Sequence, residues 1–202
     1  HEPDLKDYSY NMELARNLLF QAGFRDNDLD GVLVREVSGV NLKLAFRLLG
    51  NEENTERMKI AQSIKTNMEL LSLMVEIDAC DFETYKQKLA AGDFDMYLGA
   101  INFDARPDFS FFLHSSSDDE NSLNYFNYQS ERLDEDLDHV INASTENELR
   151  TALSEVQKHV AEELPFVSIA FVQRALLTDI GIKGDKNPVI NNIFFNIEQW
   201  KI

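Results

Sequence analysis

Three apolar runs too short for helices, NLKLAFRLL at 41–49, LSLMVEIDA at 71–79 and FDMYLGAI at 94–101, are separated by two stretches with helical spacing. The first stretch opens at Asn54 and sets Met58, Ala61, Ile64 and Met68 on one face. The second opens at Asp81, carries Tyr85 and Leu89, and meets Gly92. Asn and Asp before a helix accept hydrogen bonds from its first N–H groups, and glycine takes the left-handed conformation that ends one. Strands joined through helices run parallel, because the crossover carries the chain back to the end it left. The order β-α-β-α-β therefore predicts an α/β fold with a mostly parallel sheet flanked by helices.

The rest of the chain extends this pattern. Asn11 caps a helix carrying Leu14, Leu18, Leu19 and Ala22, and Gly23 ends it; RDNDLDG at 25–31 then reads as a turn. A long loop is expected from about 102 to 130. Leu133, Leu137, Val140 and Ile141 mark a helix, and Thr145 with Glu148 forms a capping box for another through Leu149, Leu153, Val156, Val160 and Leu164. Pro165 stops that helix, and 166–172 and 192–200 read as two further strands. With neither a repeat nor a Ser- or Pro-rich linker, residues 1–202 are expected to form one α/β domain.

Charge narrows the partners. Nineteen Lys and Arg stand against 36 Asp and Glu, a net charge of -17. Nucleic acid and anionic membrane surfaces need a basic face, so neither is an expected partner. The one cysteine, Cys80, allows no internal disulfide, and with no His or Lys beside it in sequence it reads as a small buried hydrophobe. No run reaches the ~18 apolar residues of a membrane span. HEPDLKDYSY is polar and leads straight into a helix, unlike a signal peptide, so the chain reads as a piece of a longer protein.

Motifs for catalysis and cofactors are sparse. Asp26, Asp28 and Asp30 before Gly31 look like the first half of a calcium loop, but Val37 occupies the place of the closing bidentate Glu, and Glu36 falls one short. A polar turn is the better reading. His1, His114, His139 and His159 have no metal-binding spacing, and no Gly-x-Ser-x-Gly or phosphate-cradling glycine loop occurs. The expectation is a non-enzymatic protein without metal or cofactor. After SSSDDENS at 115–122, Asn124, Tyr125, Phe126 and Tyr128 either line a pocket or pin the loop onto the core.

Five collinear stretches resemble one family. They are YNMELARNLLFQAGFRDNDLDGV, NEENTERMKIAQSIKTNMELLSLMVEID, FETYKQKLAAGDFDMYLGA, NYFNYQSERLDEDL and VQKHVAEELPFVSIAF. Together they are similar to the C-terminal lobe of the bacterial extracellular solute-binding proteins that serve oligopeptide and dipeptide ABC importers. Departures from the family pattern are Ser72, where glycine is usual, Ala100, where tryptophan is usual, and Phe103, where peptide-binding members often place an aspartate.

The resemblance implies a type II periplasmic-binding-protein lobe whose partner lobe lies upstream of residue 1. It implies capture of a short peptide between two lobes and delivery to an ABC permease in the membrane. The location implied is the periplasm or the extracellular face of the membrane, with a lipid anchor on the missing N-terminus. The loop leaving the third strand should face the ligand, with Asn102, Asp104 and Arg106 on it. Asp104 takes the amine-binding role if the loop is shifted by one residue. Arg57 is the candidate for a ligand carboxylate, and Asn124 and Tyr128 complete the candidate ligand-binding residues. Two alternatives stay open: a solute-sensing domain of a regulator, and a receptor of the same family for a nickel complex or a sugar.

Overall fold

The computed structural model describes residues 5, 8–27, 29–102, 108–116, 122–171, 176–184, 192 and 194–201. They fall into two compact units, one of residues 7–101 and one of residues 1–6 with 102–202.

The first unit holds helix α1 (Met12–Gln21), hairpin strands β1 (Val34–Val37) and β2 (Val40–Lys43), then β3 (Ala45–Asn51), α2 (Thr55–Glu69), β4 (Met74–Cys80), α3 (Phe82–Ala91) and β5 (Met96–Tyr97). The caps read from sequence are all present. Asn11 Oδ1 accepts from Leu14 N at 2.8 Å, Asn54 Oδ1 from Arg57 N at 3.0 Å, and Asp81 Oδ1 from Glu83 N and Thr84 N at 3.0 Å each. Gly92 ends α3 at φ 67°.

β3, β4 and β5 form a parallel sheet in the order β4-β3-β5. Successive strand residues point to opposite faces. Leu48 packs with Ala61, Val75 and Leu98 into a core that Ile60, Ile64 and Met68 of α2 close. Leu49, fully buried, points the other way; α3 packs on the same strand and contributes buried Tyr85 and Leu89. Helices thus cover both faces, as the β-α-β-α-β order requires.

Two expectations need correction here. The run 41–49 is not one strand. Leu44 N–H donates to Leu33 O at 2.9 Å while its own carbonyl accepts from Met74 N at 2.8 Å, so the chain changes sheets at Leu44. Residues before it belong to an antiparallel hairpin, whose two-residue turn Ser38–Gly39 has φ 52° and 80°. That turn matches the right-handed twist of paired strands. β4 also starts at Met74 rather than 71, because α2 unwinds through Ser72, which sits at φ 62°.

The second unit holds a short helix α4 (Ser110–Leu113), then α5 (Glu131–Asn142) and α6 (Glu146–Glu163). Leu133, Leu137 and Val140 bury the inner face of α5, whereas Ile141 is exposed. The Thr145–Glu148 capping box is formed in both directions. Phe112 is the aromatic centre, with ring centroids 5.3 Å from Phe126 and 5.1 Å from Phe166.

The two later strands are not found among the described residues. From 166 to 171 the chain has no ladder partner, and Val167, Ile169 and Phe171 are exposed. An apolar alternation needs a neighbouring strand before it becomes one. Between 192 and 200, Asn196 takes φ 59°, which breaks an extended run, and Ile197–Gln199 form a 3-10 turn. The loop expected over 102–130 contains α4.

Candidate functional site

In a parallel sheet, ligands bind beyond the carboxyl ends of the strands, where successive connections leave in opposite directions. Here the chain steps from β3 to β4 on one side and then to β5 on the other. That change of direction falls at the carboxyl end of β3.

Asn51 stands there, only 8 % exposed. Its Oδ1 accepts from Glu53 N at 3.0 Å and its carbonyl from Asn54 N at 3.2 Å. Glu52 N donates to Cys80 O at 2.9 Å, which carries the β3–β4 ladder past the strand. α2 approaches closely: a Cβ on Gly50 would lie 3.2 Å from Met58 Sδ. Asn51 was not among the residues singled out from sequence. Its signal was an Asn ending an apolar strand, three residues before a second Asn that caps a helix.

Arg57 lies in the first turn of α2, half-buried. Its backbone N–H is bonded to the Asn54 cap, and its guanidinium has no ion pair or hydrogen bond among the described residues. Other cations of this unit are committed: Arg47 to Asp93 at 2.8 Å, Lys88 to Asp78 at 2.5 Å and Lys43 to Asp30 at 2.7 Å. The bond to Asp78 holds Lys88 above its ordinary value, and the one to Arg47 holds Asp93 below its own.

The start of the loop after β5 is fixed from inside. The buried Tyr85 hydroxyl donates to Leu98 O at 3.1 Å. Asn102 is exposed, and Asp104 and Arg106 lie outside the described residues. Cys80 is half-buried; burial pushes its thiol up, against the pull of Lys88. That is the opposite of an activated thiolate.

In the other unit, Asn124 and Tyr128 are engaged within the protein. Asn124 is 6 % exposed; its Nδ2 donates to His114 O at 3.2 Å and Tyr128 O at 2.8 Å, and its Oδ1 accepts from Tyr128 N at 3.0 Å. The Tyr128 hydroxyl donates to Glu163 Oε2 at 2.5 Å. Burial first, and that bond second, push Tyr128 up to about 12. Tyr128 ties the segment after 122 to α6, and Asn124 ties it to His114 at the end of α4, one of the two readings that the sequence allowed.

His159 is fully buried, with Ser130 Oγ 3.1 Å from Nε2 and carboxylates of Asp136 and Glu163 at 3.5 and 3.4 Å. Ser130 Oγ also caps α5. α5 and α6 border a cavity of about 380 Å³ lined by Asp136, His139 and Glu155 among others. The 26–31 turn is held by its own bonds, Asp26 to Gly31 N and Asp30 to Val32 N and Lys43. Among the described residues, no group of three or more His, Cys, Asp or Glu is placed to hold a metal ion. No helix among them is long and apolar enough to cross a membrane.

The parallel sheet with helices on both faces has the fold of a type II periplasmic-binding-protein lobe, as in the solved structures compared below. The chain belongs to the bacterial extracellular solute-binding proteins, family 5: the model of that family's middle region matches residues 1–123. Over 199 residues it is 22% identical to the oligopeptide-binding protein AppA of Bacillus subtilis, covering 98% of this chain and 36% of AppA. It is 26% identical to the peptide transport periplasmic protein SapA of Haemophilus influenzae, over 94% of this chain and 32% of SapA. The chain thus spans about a third of the length of these curated relatives.

Solved structures agree on the fold. AppA in complex with a nonapeptide has a TM-score of 0.73, at 20% identity over 98% of this chain and 39% of that one. NikZ from Campylobacter jejuni in complex with Ni(L-His) has a TM-score of 0.76, at 22% identity over 100% of this chain and 41% of that one.

Proposed function

We propose that these 202 residues are one lobe of a two-lobed receptor that captures short peptides outside the cell membrane and hands them to an ABC permease. The observation that carries this reading is the carboxyl edge of β3. There a half-buried Arg57 has no acidic partner among the described residues in a chain with 36 acidic side chains. An uncommitted guanidinium in such surroundings suits a carboxylate supplied from outside. Asp104 is the proposed amine partner, and Asn102 and Arg106 are further proposed ligand-binding residues. The names of AppA and SapA support a peptide as the ligand.

A partner lobe, absent from these residues, would cover the ligand from the other side. Ligands of this size are held by burying most of their surface, so one lobe alone should bind weakly. Anchoring of the longer protein by a lipid belongs to the same proposal. A second reading is a non-peptide ligand, because the fold of NikZ, solved with Ni(L-His), matches this chain as well as that of AppA does.

The test is a thermal-shift screen of the longer protein and of the 202-residue chain against pooled di- to hexapeptides, nickel with L-histidine, and oligosaccharides. A ligand at 100 times its Kd adds about 2.7 kcal/mol of stability. A peptide-specific shift in the longer protein is expected. A shift with nickel–histidine or oligosaccharide alone overturns the peptide assignment.

A further inference from the structure

We propose that α1, the α2–β4 turn and one face of the β1–β2 hairpin form a docking surface, and that its occupant is a second copy of this chain. The surface lies at the amino end of the parallel sheet. There β2 leads into β3 through Leu44, and the turn after α2 leads into β4 at Met74. The ligand edge proposed above is the carboxyl end, so the two roles do not compete for one face.

The elements of this surface are weakly supported by the rest of the unit. α1 has ten residues, none of them buried. An isolated helix shorter than about 12–15 residues is marginal in water. A two-stranded hairpin is marginal too, and every residue of β2 is exposed. Both nevertheless turn apolar side chains to water. Leu14 and Leu18 stand four apart on one side of α1, 52 % and 55 % exposed. Val37 pairs with Val40 and Arg35 with Leu42, so these four share one face of the hairpin. Val37, Val40 and Leu42 are all exposed.

Hydrogen bonds make the surface continuous. Arg35 Nη1 donates to Ala22 O, the C-cap of α1, at 3.0 Å, so the apolar hairpin face is the one beside α1. Arg16 Nη2 donates to Leu70 O at 3.0 Å, which ties α1 to the α2–β4 turn. Leu33 N donates to Ser72 O at 2.8 Å, which ties the start of the hairpin to the same turn. Leu70 and Met74 of that turn are exposed as well. Single exposed apolar residues are ordinary, but a connected set across three elements marks an interaction surface.

Charge selects the occupant. Residues 12–44 carry four cations and five acids, a net charge of -1, while the other 169 residues carry -16. A basic partner would be drawn to the acidic remainder, and an anionic one would be repelled by it. Two copies repel each other least where each is nearly neutral. A twofold contact then sets the same apolar patch against itself, which needs no second kind of surface.

The experiment is sedimentation equilibrium of the 202-residue chain over a concentration series. The mass should rise from 23.2 kDa toward twice that value. Added salt should tighten the dimer, because it screens repulsion between the acidic remainders. Leu18→Glu and Val40→Lys, both at exposed positions, should each weaken dimerisation at least about tenfold with the far-UV circular dichroism unchanged. Ile141→Glu, at an exposed apolar position of α5, should leave dimerisation unchanged. A mass of 23.2 kDa at every concentration overturns the proposal. So does a dimer that both variants leave intact, or one that salt dissociates. If the longer protein is monomeric where the 202-residue chain dimerises, the rest of that polypeptide covers this face and the second-copy assignment falls.

Discussion

Asn124 gives the sharpest test of how the second unit is held. Asn124→Ala deletes three hydrogen bonds at once, to His114 O, Tyr128 O and Tyr128 N. Each net bond is worth about 1 kcal/mol, and a polar group left buried without a partner costs more than the bond itself. The truncation also removes packing at a site only 6 % exposed. The sum is a loss of about 3 kcal/mol. For a chain of this length that lowers Tm by roughly 6–12 °C. Urea unfolding followed by far-UV circular dichroism, with a thermal melt alongside, measures it. Asn124→Asp keeps the bond from Tyr128 N but sets a carboxylate oxygen against the His114 and Tyr128 carbonyls, and should be no more stable than alanine. A loss under about 1 kcal/mol for Asn124→Ala refutes the reasoning, because the segment would then be held by other contacts.

Further predictions follow from single positions. Ser72 holds φ 62°, and its side chain makes no hydrogen bond among the described residues. Ser72→Gly relieves a left-handed penalty of about 1 kcal/mol or more against about 0.5 kcal/mol of added chain entropy, so Tm should rise by a degree or two, whereas Ser72→Val should lower it. Leu49→Ala, at a fully buried position of the central strand, should cost about 3 kcal/mol in urea unfolding. Acid should destabilise the chain. Asp81 is held below its usual value by Thr84, Asp93 by Arg47, Glu148 by Ser144 and Glu163 by Tyr128. A carboxylate with a depressed folded pKa contributes stability above its unfolded value, about 4, and loses it as pH falls through the folded one. Melting temperatures between pH 6 and pH 3 should therefore drop, and a flat profile would contradict these assignments.

The parallel sheet and its caps were legible because each signal was local. Asn11, Asn54, Asp81 and Thr145 all cap the helices they precede, through bonds spanning two or three residues. Where the reading failed, the deciding contact was distant in sequence. Nothing within 41–49 reveals that Leu44 turns from Leu33 to Met74, and an apolar run such as 166–171 looks the same with or without a neighbour to pair with. The candidate site was half legible. Arg57 stood out as a charge at a helix start, but Asn51 becomes notable only once its burial is known.

The central claim is that ligand meets this chain at the carboxyl edge of its parallel sheet. Hydrogen–deuterium exchange of the longer protein, with and without the best peptide from the thermal-shift screen, tests it most directly. The account predicts slowed exchange at 52–57 and 98–102 and unchanged exchange at the α5–α6 turn, residues 142–147. Protection confined to other segments, with 52–57 exchanging at the same rate in both states, would contradict it.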